Sequence, residues 1–214
     1  MPATTSRYRI VVSLLALAAL ALGLWIGERA IQPKGHVTDG LAATVLPQPR
    51  PLAPFELIDQ QRQPFGLERL KGRWSFLAFG YTHCPDVCPM TLGALKQASE
   101  QIRAALQSKQ QPQVVFVSVD PERDTPQQLD GYVSYFSKDF VGVTGSPQAI
   151  EAFAHQLSVP YGRSPDKAMG EYSVDHSASI LLIDPQARLC AIFSAPHDPR
   201  RIAAEFLEIR QVQR

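Results

Sequence analysis

A continuous apolar run, Trp74–Tyr81, most constrains how this chain can fold. A strand without a polar face is typical of the interior of a sheet that is covered by helices on both faces. An amphipathic pattern follows, in which Leu92, Leu95 and Ala98 recur at intervals of three residues on one face. A buried strand followed by an amphipathic helix favours an α/β fold.

The alternation of strand and helix signals continues to the C-terminus. Further strands are predicted at Phe55–Ile58, Gln113–Val119, Val141–Thr144, Ser179–Ile183 and Arg188–Phe193. N-cap residues followed by proline predict helices that begin at Thr125, Ser146 and Asp198. The turn-forming Asp184-Pro185 joins the last two strands as a hairpin, so we expect a mixed sheet with helices on both faces.

The N-terminus contains an 18-residue apolar stretch, Ile10–Gly27. At about 1.5 Å per residue a helix of this length reaches about 27 Å, close to the roughly 30 Å hydrocarbon core of a bilayer. A buried helix is one alternative, and a cleaved signal peptide is another, because Ala19-Leu20-Ala21 has the form of a cleavage site. Since apolar residues continue through Ile26, we predict an uncleaved transmembrane helix within residues 1–29.

The chain beyond this helix divides into two parts by composition. Residues 30–53 are rich in proline and show no sustained periodicity, which predicts a partly stiff linker. Residues 54–214 are predicted to form one folded domain, because 45% of the 214 residues are hydrophobic and this length suffices for one core. The net charge is only +1, so nucleic-acid binding is not expected.

Two cysteines, Cys84 and Cys88, follow the apolar strand directly. Their spacing on a helix would place both sulfurs on one face, close enough to share a metal ion or to approach disulfide geometry. The N-terminus of a helix also favours thiolate over thiol. A static disulfide or two core cysteines would be the simpler alternative, but the junction of strand and helix is where α/β sheets bind ligands. We therefore predict a reactive pair.

The histidines differ in their suitability as a further ligand. A pair of thiolates with one imidazole suits Cu(I), whereas zinc normally takes four ligands. His176 is a candidate because it lies just before the strand Ser179–Ile183, whose start can adjoin the end of an antiparallel neighbour. His83 should point away from the adjacent cysteine and serve in packing or hydrogen bonding. His155 is expected to be structural or exposed, and His197 to face solvent.

The chain contains FGYTHCPDVCP at residues 79–89, VSVDPERDTP at residues 117–126, DHS at residues 175–177 and DP at residues 184–185. Together these motifs closely resemble those of the Sco/SenC family of membrane-anchored copper proteins. Order and spacing agree from about residue 54 to residue 210. The resemblance implies a thioredoxin-like fold with an inserted hairpin, preceded by one transmembrane helix. It also implies a head domain in the periplasm, or in the intermembrane space if the source is mitochondrial, on the inner membrane.

The resemblance further implies that Cys84, Cys88 and His176 bind copper. Asp175 is a candidate for orienting the histidine ring or its loop, and oxidation to a Cys84–Cys88 disulfide would remove both sulfur ligands. The implied role is maturation of the dinuclear copper A centre of cytochrome c oxidase subunit II. An upstream copper donor and a thiol reductant are the further partners that this role requires.

Other functions fit parts of the pattern. A thiol-disulfide oxidoreductase that reduces the acceptor's cysteines is the main enzymatic alternative, although such enzymes typically have C-x-x-C and a facing cis-proline, and residues 175–178 contain no proline. A thiol peroxidase would need a motif for peroxide activation, which we do not find. A redox or copper sensor is the third alternative. A carrier rather than an enzyme is therefore the leading prediction.

Two residues depart from the family pattern. Ala187 stands where the family usually has glycine in the turn after Asp184-Pro185. Cys190 is an additional cysteine that we expect to act as a small buried hydrophobic residue. The charged run Asp120–Asp124 is predicted to form a capped loop before the next helix rather than a docking site.

Overall fold

The structure is a computed structural model that describes residues 43–106, 111–166 and 171–213, together with positions 16, 18, 22 and 23. All the strands and helices given below belong to the unit formed by residues 38–214. The predicted anchor, residues 1–29, lies outside the described residues apart from those four positions. In the described part of the chain, no helix is both long enough and apolar enough to cross a membrane.

The described strands form one large sheet and one hairpin. In chain order they are β1 (Thr44–Pro51), β2 (Leu57–Asp59), β3 (Pro64–Phe65), β4 (Ser75–Gly80), β5 (Gln113–Ser118), β6 (Val141–Thr144), β7 (Tyr161–Asp166), β8 (Glu171–His176), β9 (Ile180–Ile183) and β10 (Arg188–Phe193). The large sheet has the order β1-β10-β9-β4-β5-β6-β2-β3, and β7 pairs only with β8. Strands β4, β5 and β6 are parallel and the other pairs antiparallel, so the predicted mixed sheet is confirmed.

The helices begin largely where the sequence predicts. They are α1 (Leu67–Leu70), α2 (Val87–Ala105), α3 (Pro126–Phe136), α4 (Pro147–Gln156) and α5 (Pro199–Val212). The side chains of Thr125, Ser146 and Asp198 accept hydrogen bonds from backbone amides of the first turns, and Thr125 forms a capping box with Gln128. Helix α2 begins at Val87, between the two cysteines.

Helices cover both faces of the sheet, as expected from a central strand, β4, that is apolar on both faces. Side chains of a strand alternate between its two faces, so Phe76 and Phe79 of β4 point in opposite directions. The ring of Phe76 lies 5.4 Å from that of Phe206 in α5, between centroids. The ring of Phe79 lies 5.9 Å from that of Phe153 in α4. Every residue of β4 is buried in consequence.

The prediction of a linker up to residue 53 is wrong for its second half. Strand β1 occupies Thr44–Pro51 and pairs antiparallel with β10, so the folded domain begins before residue 54. Pro47 and Pro49 concealed this strand, because proline removes a backbone donor and is tolerated only on an edge strand or at a bulge. Strand β1 is an edge strand, and its register with β10 shifts between Val45 and Arg50.

The sheet brings the cysteine loop close to the chain that follows the hairpin. Ala78 near the end of β4 lies opposite Ile180 at the start of β9. The hairpin of β7 and β8 ends at His176, four residues before Ile180. The sequence-based expectation that the start of this strand adjoins the end of the cysteine strand is therefore confirmed.

Candidate metal centre

Cys84 and Cys88 lie where β4 passes into α2, and both are free cysteines without a disulfide bond. The exposed fraction is 9% for Cys84 and 2% for Cys88. The backbone amide of Cys88 donates to Sγ of Cys84 at 3.4 Å, so the first turn of α2 directs an N–H group at that sulfur. The amide of Cys84 donates to the carbonyl of Tyr81 at 3.2 Å, which closes the loop. The helix N-terminus thus favours negative charge on Cys84, as predicted.

His176, the last residue of β8, presents its ring to the cysteines. Its Nε2 atom lies 3.2 Å from Sγ of Cys88. Its Nδ1 atom lies 3.1 Å from the carbonyl oxygen of Ser177. Because a carbonyl can only accept, Nδ1 carries the proton in the neutral ring and the lone pair is on Nε2, beside the sulfur. The ring also meets Tyr81 edge-on, with centroids 5.9 Å apart and planes at 88°.

The structure brings together all three residues that the sequence proposed as ligands. One Sγ atom from each cysteine and a ring nitrogen of His176 lie within 4.8 Å of one another. Two sulfurs and one imidazole form a soft donor set that suits Cu(I), whereas a structural zinc site normally has four ligands. Cys84 and His176 also line a cavity of about 350 Å³ that reaches Arg123 and Tyr172.

The pKa values of the two cysteines are shifted in opposite directions. The hydrogen bond with Cys88 lowers the pKa of Cys84 to about 4, in spite of burial, and His176 and backbone amides contribute in the same direction. The same hydrogen bond, together with burial, raises the pKa of Cys88 above its ordinary value. The reduced pair therefore holds one thiolate, on Cys84, and one thiol, on Cys88.

The thiolate of Cys84 also affects the pKa of His176. Burial lowers the pKa of His176, but the interaction with the Cys84 thiolate, the hydrogen bond to Ser177 and the negative charge of Asp175 outweigh it, so the pKa lies above its usual value. A thiolate beside an imidazole is an arrangement that a cation can neutralise. The electrostatics of the site therefore favour a positively charged ligand over an anion.

Asp175 does not hold the histidine ring by a hydrogen bond in the described contacts. Neighbouring residues of a strand point to opposite faces, so Asp175 faces away from the ring of His176. Its carboxylate accepts from the hydroxyl of Ser164, across the hairpin. Asp175 was predicted to orient either the ring of His176 or its loop, and the contact with Ser164 is consistent with the second role. Its effect on the ring is electrostatic, because its negative charge raises the pKa of His176.

The other three histidines that the structure describes lie outside the group of Cys84, Cys88 and His176. His83 has a 43% exposed side chain, and its Nδ1 atom lies 3.1 Å from Oγ1 of Thr82, so its predicted hydrogen-bonding role is confirmed. His155 is exposed, near the end of α4. The expectation that His197 faces solvent is wrong, because its Nε2 atom donates to the carbonyl of Ala178 at 2.7 Å. Tertiary contact of two loops, which no local pattern reveals, explains the difference.

Cys190 is remote from this chemistry. It is fully buried in β10, as predicted, and its Sγ atom lies 3.3 Å from the carbonyl of Leu182. Burial raises the pKa of this thiol, so it is a poor nucleophile. Cys190 therefore behaves as a small hydrophobic residue.

The buried carboxylate of Asp124 accepts hydrogen bonds from the loop that precedes Cys84. Asp124 is fully buried, and it accepts from the amide of Thr82 at 2.9 Å and from the hydroxyls of Thr82 and Ser118, each at 2.6 Å. The charged run that contains it precedes a capped helix, as predicted. No local pattern indicates that carboxylates of this run also bind neighbouring segments of the chain.

Fold and site together define a class of protein. A mixed α/β sheet with a cysteine pair at a helix N-terminus, faced by a histidine from an inserted hairpin, is a thioredoxin-like domain equipped to bind a soft metal ion. The chain belongs to the SCO1/SenC family, which it matches over residues 45–211. The match begins within β1, in agreement with the corrected start of the domain.

Known relatives share sequence and fold over most of the chain. A protein of Stutzerimonas stutzeri, named provisionally as a copper-binding protein, is 37% identical over 183 residues, which are 86% of this chain and 85% of that protein. The crystal structure of Arabidopsis thaliana ScoI with copper bound is 34% identical and covers 75% of this chain and 98% of that one, with a TM-score of 0.70. A more distant structure, of BsSco, shares the fold at 23% identity and a TM-score of 0.59, over 76% of this chain and 92% of that one.

Proposed function

We propose that this protein is a copper carrier that binds one copper ion through Cys84, Cys88 and His176. The observation that supports it most directly is the convergence of the three ligand atoms within 4.8 Å. Copper bound to the ScoI relative and the copper-binding name of the Stutzerimonas relative support the choice of metal. Copper is cargo in this proposal, so a site with three ligands, open to a partner's own ligands, suits both uptake and release.

The proposed destination of the copper is the dinuclear copper A centre of cytochrome c oxidase subunit II. BsSco is described as a member of the Sco family of cytochrome c oxidase assembly proteins, which supports a role with that enzyme. The predicted N-terminal helix would anchor the domain on the inner membrane, facing the periplasm or the intermembrane space. A tethered donor and a membrane oxidase then search a shared plane, which raises their effective concentration. An upstream copper donor and a thiol reductant complete the proposed set of partners.

Thiol redox state would control the copper load. When Cys84 and Cys88 form a disulfide, the two sulfurs give two electrons to an acceptor, the Cys88 thiol loses its proton, and both sulfur ligands disappear together. An acceptor disulfide that takes up those electrons becomes a dithiol. Copper release and reduction of a partner's cysteines can therefore belong to one exchange.

The second candidate function is a thiol-disulfide oxidoreductase that acts on the acceptor's cysteines. The pKa of about 4 for Cys84 is compatible with it, because Cys84 is then a thiolate at neutral pH, and the thiolate is the form that attacks a disulfide. Such an enzyme needs the cysteines but not the imidazole as a ligand. A sensor of copper or redox state would use the same three residues without delivering metal to an acceptor.

The test is anaerobic titration of the reduced full chain with Cu(I) in competition with a chromophoric chelator. We expect one copper ion per chain, and affinity that falls about 10-fold or more in Cys84→Ser, Cys88→Ser and His176→Ala. The matched controls are Cys190→Ala and His155→Ala, which remove the same residue types elsewhere and should bind as the wild type does. Tight binding that survives both Cys88→Ser and His176→Ala would overturn the proposed site.

A companion assay separates the two functions. The reduced chain is mixed with an acceptor peptide that contains a disulfide, and reduction of the peptide is followed. An oxidoreductase predicts that His176→Ala leaves the rate largely unchanged while Cys84→Ser abolishes it. A carrier predicts that copper transfer to the reduced acceptor is lost in both variants.

A further inference from the structure

Arg123 is not one of the three candidate ligands, but it lies beside the candidate metal centre, between two tyrosine rings. The guanidinium of Arg123, in the loop after β5, stands 3.8 Å from the ring centroid of Tyr172 and 5.5 Å from that of Tyr81. Its Nη1 atom donates to the carbonyl oxygen of Tyr172 at 3.1 Å. Only 16% of the Arg123 side chain is exposed, so these contacts are largely shielded from water.

A buried carboxylate completes the attachment of Tyr172. Asp120 is fully buried, accepts from the hydroxyl of Tyr172 at 2.8 Å and is paired with Nε of Arg123. Tyr172 is thus held by its ring, its hydroxyl and its backbone carbonyl. The other partner of the ring is Arg163 of β7, 4.7 Å from its centroid. We call the side chains of Asp120, Arg123 and Tyr172 the hairpin staple.

The hairpin of β7 and β8 has no backbone ladder to the large sheet in the described structure. A hairpin of two strands is marginally stable by itself in water. Arg163 and Pro165 of β7 lie opposite Val174 and Tyr172 and share their face, yet both are exposed, as is Asp175 on the other face. The placement of this hairpin on the domain therefore depends on side-chain contacts, which include the staple and the ion pairs of Arg163 with Glu122 and Asp120.

The register of β8 connects the staple to the candidate ligand. Tyr172, Val174 and His176 occupy alternate positions, so their side chains lie on one face of the strand, and Val174 between them is 3% exposed. At about 3.3 Å per residue, Tyr172 and His176 are about 13 Å apart along the strand. Tyr81 offers a second connection, because its ring touches both Arg123 and His176.

We propose that Arg123 and Tyr172 are positioning residues, which hold the hairpin so that the ring of His176 lies against the cysteine pair. The inference deepens the proposed function and rests on His176 being a copper ligand. If the staple is broken, the two sulfurs stay in place on α2, while the imidazole moves away with the hairpin. The staple would therefore set the contribution of the imidazole to copper binding without touching the metal.

A double-mutant cycle on the full chain tests this inference. Cu(I) affinity is measured for the wild type, Arg123→Ala, His176→Ala and the double variant. We expect Arg123→Ala to weaken copper binding about 10-fold when His176 is present. In the His176→Ala background the same substitution should change affinity less than about twofold, because an effect that acts through the imidazole disappears with it. Arg103→Ala, which removes an exposed arginine paired with Asp139, is the matched control.

A readout without copper tests the same inference independently. Hydrogen exchange of the backbone amides of Val174 and His176 should accelerate at least about 10-fold in Arg123→Ala, while that of Leu181 in the large sheet stays protected. Tyr172→Phe keeps the ring against Arg123 and should exchange more slowly than Tyr172→Ala. Exchange at Leu181 reports whether each variant is folded. The comparison of Tyr172→Phe with Tyr172→Ala then shows whether the loss of the ring, rather than a general loss of structure, accelerates exchange in β8.

The outcomes separate the two proposals. Equal weakening of copper binding by Arg123→Ala in both backgrounds, or unchanged exchange in β8, would overturn the positioning role. Copper binding that is indifferent to His176→Ala would instead overturn the ligand assignment of the proposed function. In that case faster exchange in Arg123→Ala would still establish that the staple holds the hairpin.

Discussion

Gly80 lies so close to Cys88 that a Cβ atom on the glycine would stand 2.5 Å from Sγ of the cysteine. The same Cβ atom would stand 2.7 Å from Cε2 of Phe116, on the neighbouring strand. Both neighbours are buried, Phe116 at 1% exposure and Cys88 at 2%, so neither has free space to move into. The missing side chain at the end of β4 is what allows α2 to bring its cysteine against the sheet.

We expect Gly80→Ala to destabilise the protein by about 1–3 kcal/mol, since an added methyl group must displace packed atoms. It should also weaken Cu(I) binding, because the sulfur of Cys88 is one of the atoms displaced. Urea unfolding and competition with a Cu(I) chelator measure the two effects.

Gly93→Ala is the matched control for this substitution. Gly93 lies within α2, and its Cβ atom would have nothing within 4 Å. Since alanine is the better helix former, this variant should be as stable as the wild type or more stable by up to about 1 kcal/mol. A Gly80→Ala variant that matched Gly93→Ala in both measurements would show that the close approach to Cys88 has no energetic consequence.

The second prediction concerns the pH dependence of thiol reactivity. With a pKa of about 4, Cys84 stays a thiolate through the neutral range, so its alkylation by iodoacetamide should be nearly constant from about pH 6 to pH 8. An ordinary thiol, with a pKa of about 8.5, would slow about tenfold per pH unit over much of that range. Mass spectrometry of the alkylated peptides distinguishes Cys84 from Cys88, which should react slowly throughout.

The same shift has a consequence for stability, and its sign follows from proton counting. Between about pH 4 and the ordinary thiol pKa of about 8.5, the unfolded chain holds a proton on Cys84 that the folded chain has lost, so the stability of the reduced protein rises with pH over this range. The slope should be smaller in Cys84→Ser, which removes the group while leaving the carboxylates that also titrate there. In Cys88→Ala the main cause of the low pKa is gone, so alkylation of Cys84 should regain a pH dependence. A pH-independent difference between wild type and Cys84→Ser would contradict the assigned thiolate.

Local sequence patterns were sufficient to predict the central strand of the sheet and two of the three candidate ligands. The apolar run of β4 and the N-cap signal at Thr125 depend on neighbouring residues, and the structure confirms both. The proximity of Cys84 and Cys88 is also a local feature, because the two residues are only four positions apart in the chain. The third candidate ligand needed the family resemblance, since spacing alone left His176 as one candidate among several.

The remaining features depend on contacts that sequence patterns do not encode. Strand β1 was missed because prolines are usually breakers and only pairing with β10 makes their positions acceptable. The contact of Arg123 with Tyr172 joins residues 49 positions apart, and nothing in either segment indicates the other. The alternation of Tyr172, Val174 and His176 was the one available signal, because it is typical of a strand with a buried face.

The third prediction concerns the buried carboxylate behind the cysteine loop. Asp124→Asn should destabilise the protein by about 3 kcal/mol, because the carboxylate accepts three hydrogen bonds and an amide would direct N–H groups at one or more of those donors. Urea unfolding measures the loss. Asp139→Asn is the control, since that side chain is 73% exposed and should change stability by less than about 0.5 kcal/mol. Equal stability of the two variants would mean that Asp124 does not fasten the loop.

The fourth prediction uses the residue that departs from the family pattern in the last hairpin. Ala187 has a φ of 58°, in the left-handed region, and its amide donates to the carbonyl of Asp184 at 2.9 Å. This conformation costs a residue with a side chain about 1–2 kcal/mol, a cost that glycine avoids. The greater freedom of glycine in the unfolded chain offsets about 0.4–1 kcal/mol of that gain.

The methyl group of Ala187 is only 3% exposed, so its loss costs about 0.8 kcal/mol. Ala187→Gly should therefore leave the stability unchanged to within about 0.5 kcal/mol, measured as an unchanged midpoint and slope in urea. Its turn follows Ile183, at the opposite end of β9 from the pairing of Ala78 with Ile180, so copper affinity should not change. Ala191→Gly serves as the comparison, because Ala191 is buried within β10 and its replacement should lower stability by about 1 kcal/mol. If both glycine variants lost stability to the same extent, the backbone at Ala187 would not be strained and the turn would owe its shape to Asp184 alone.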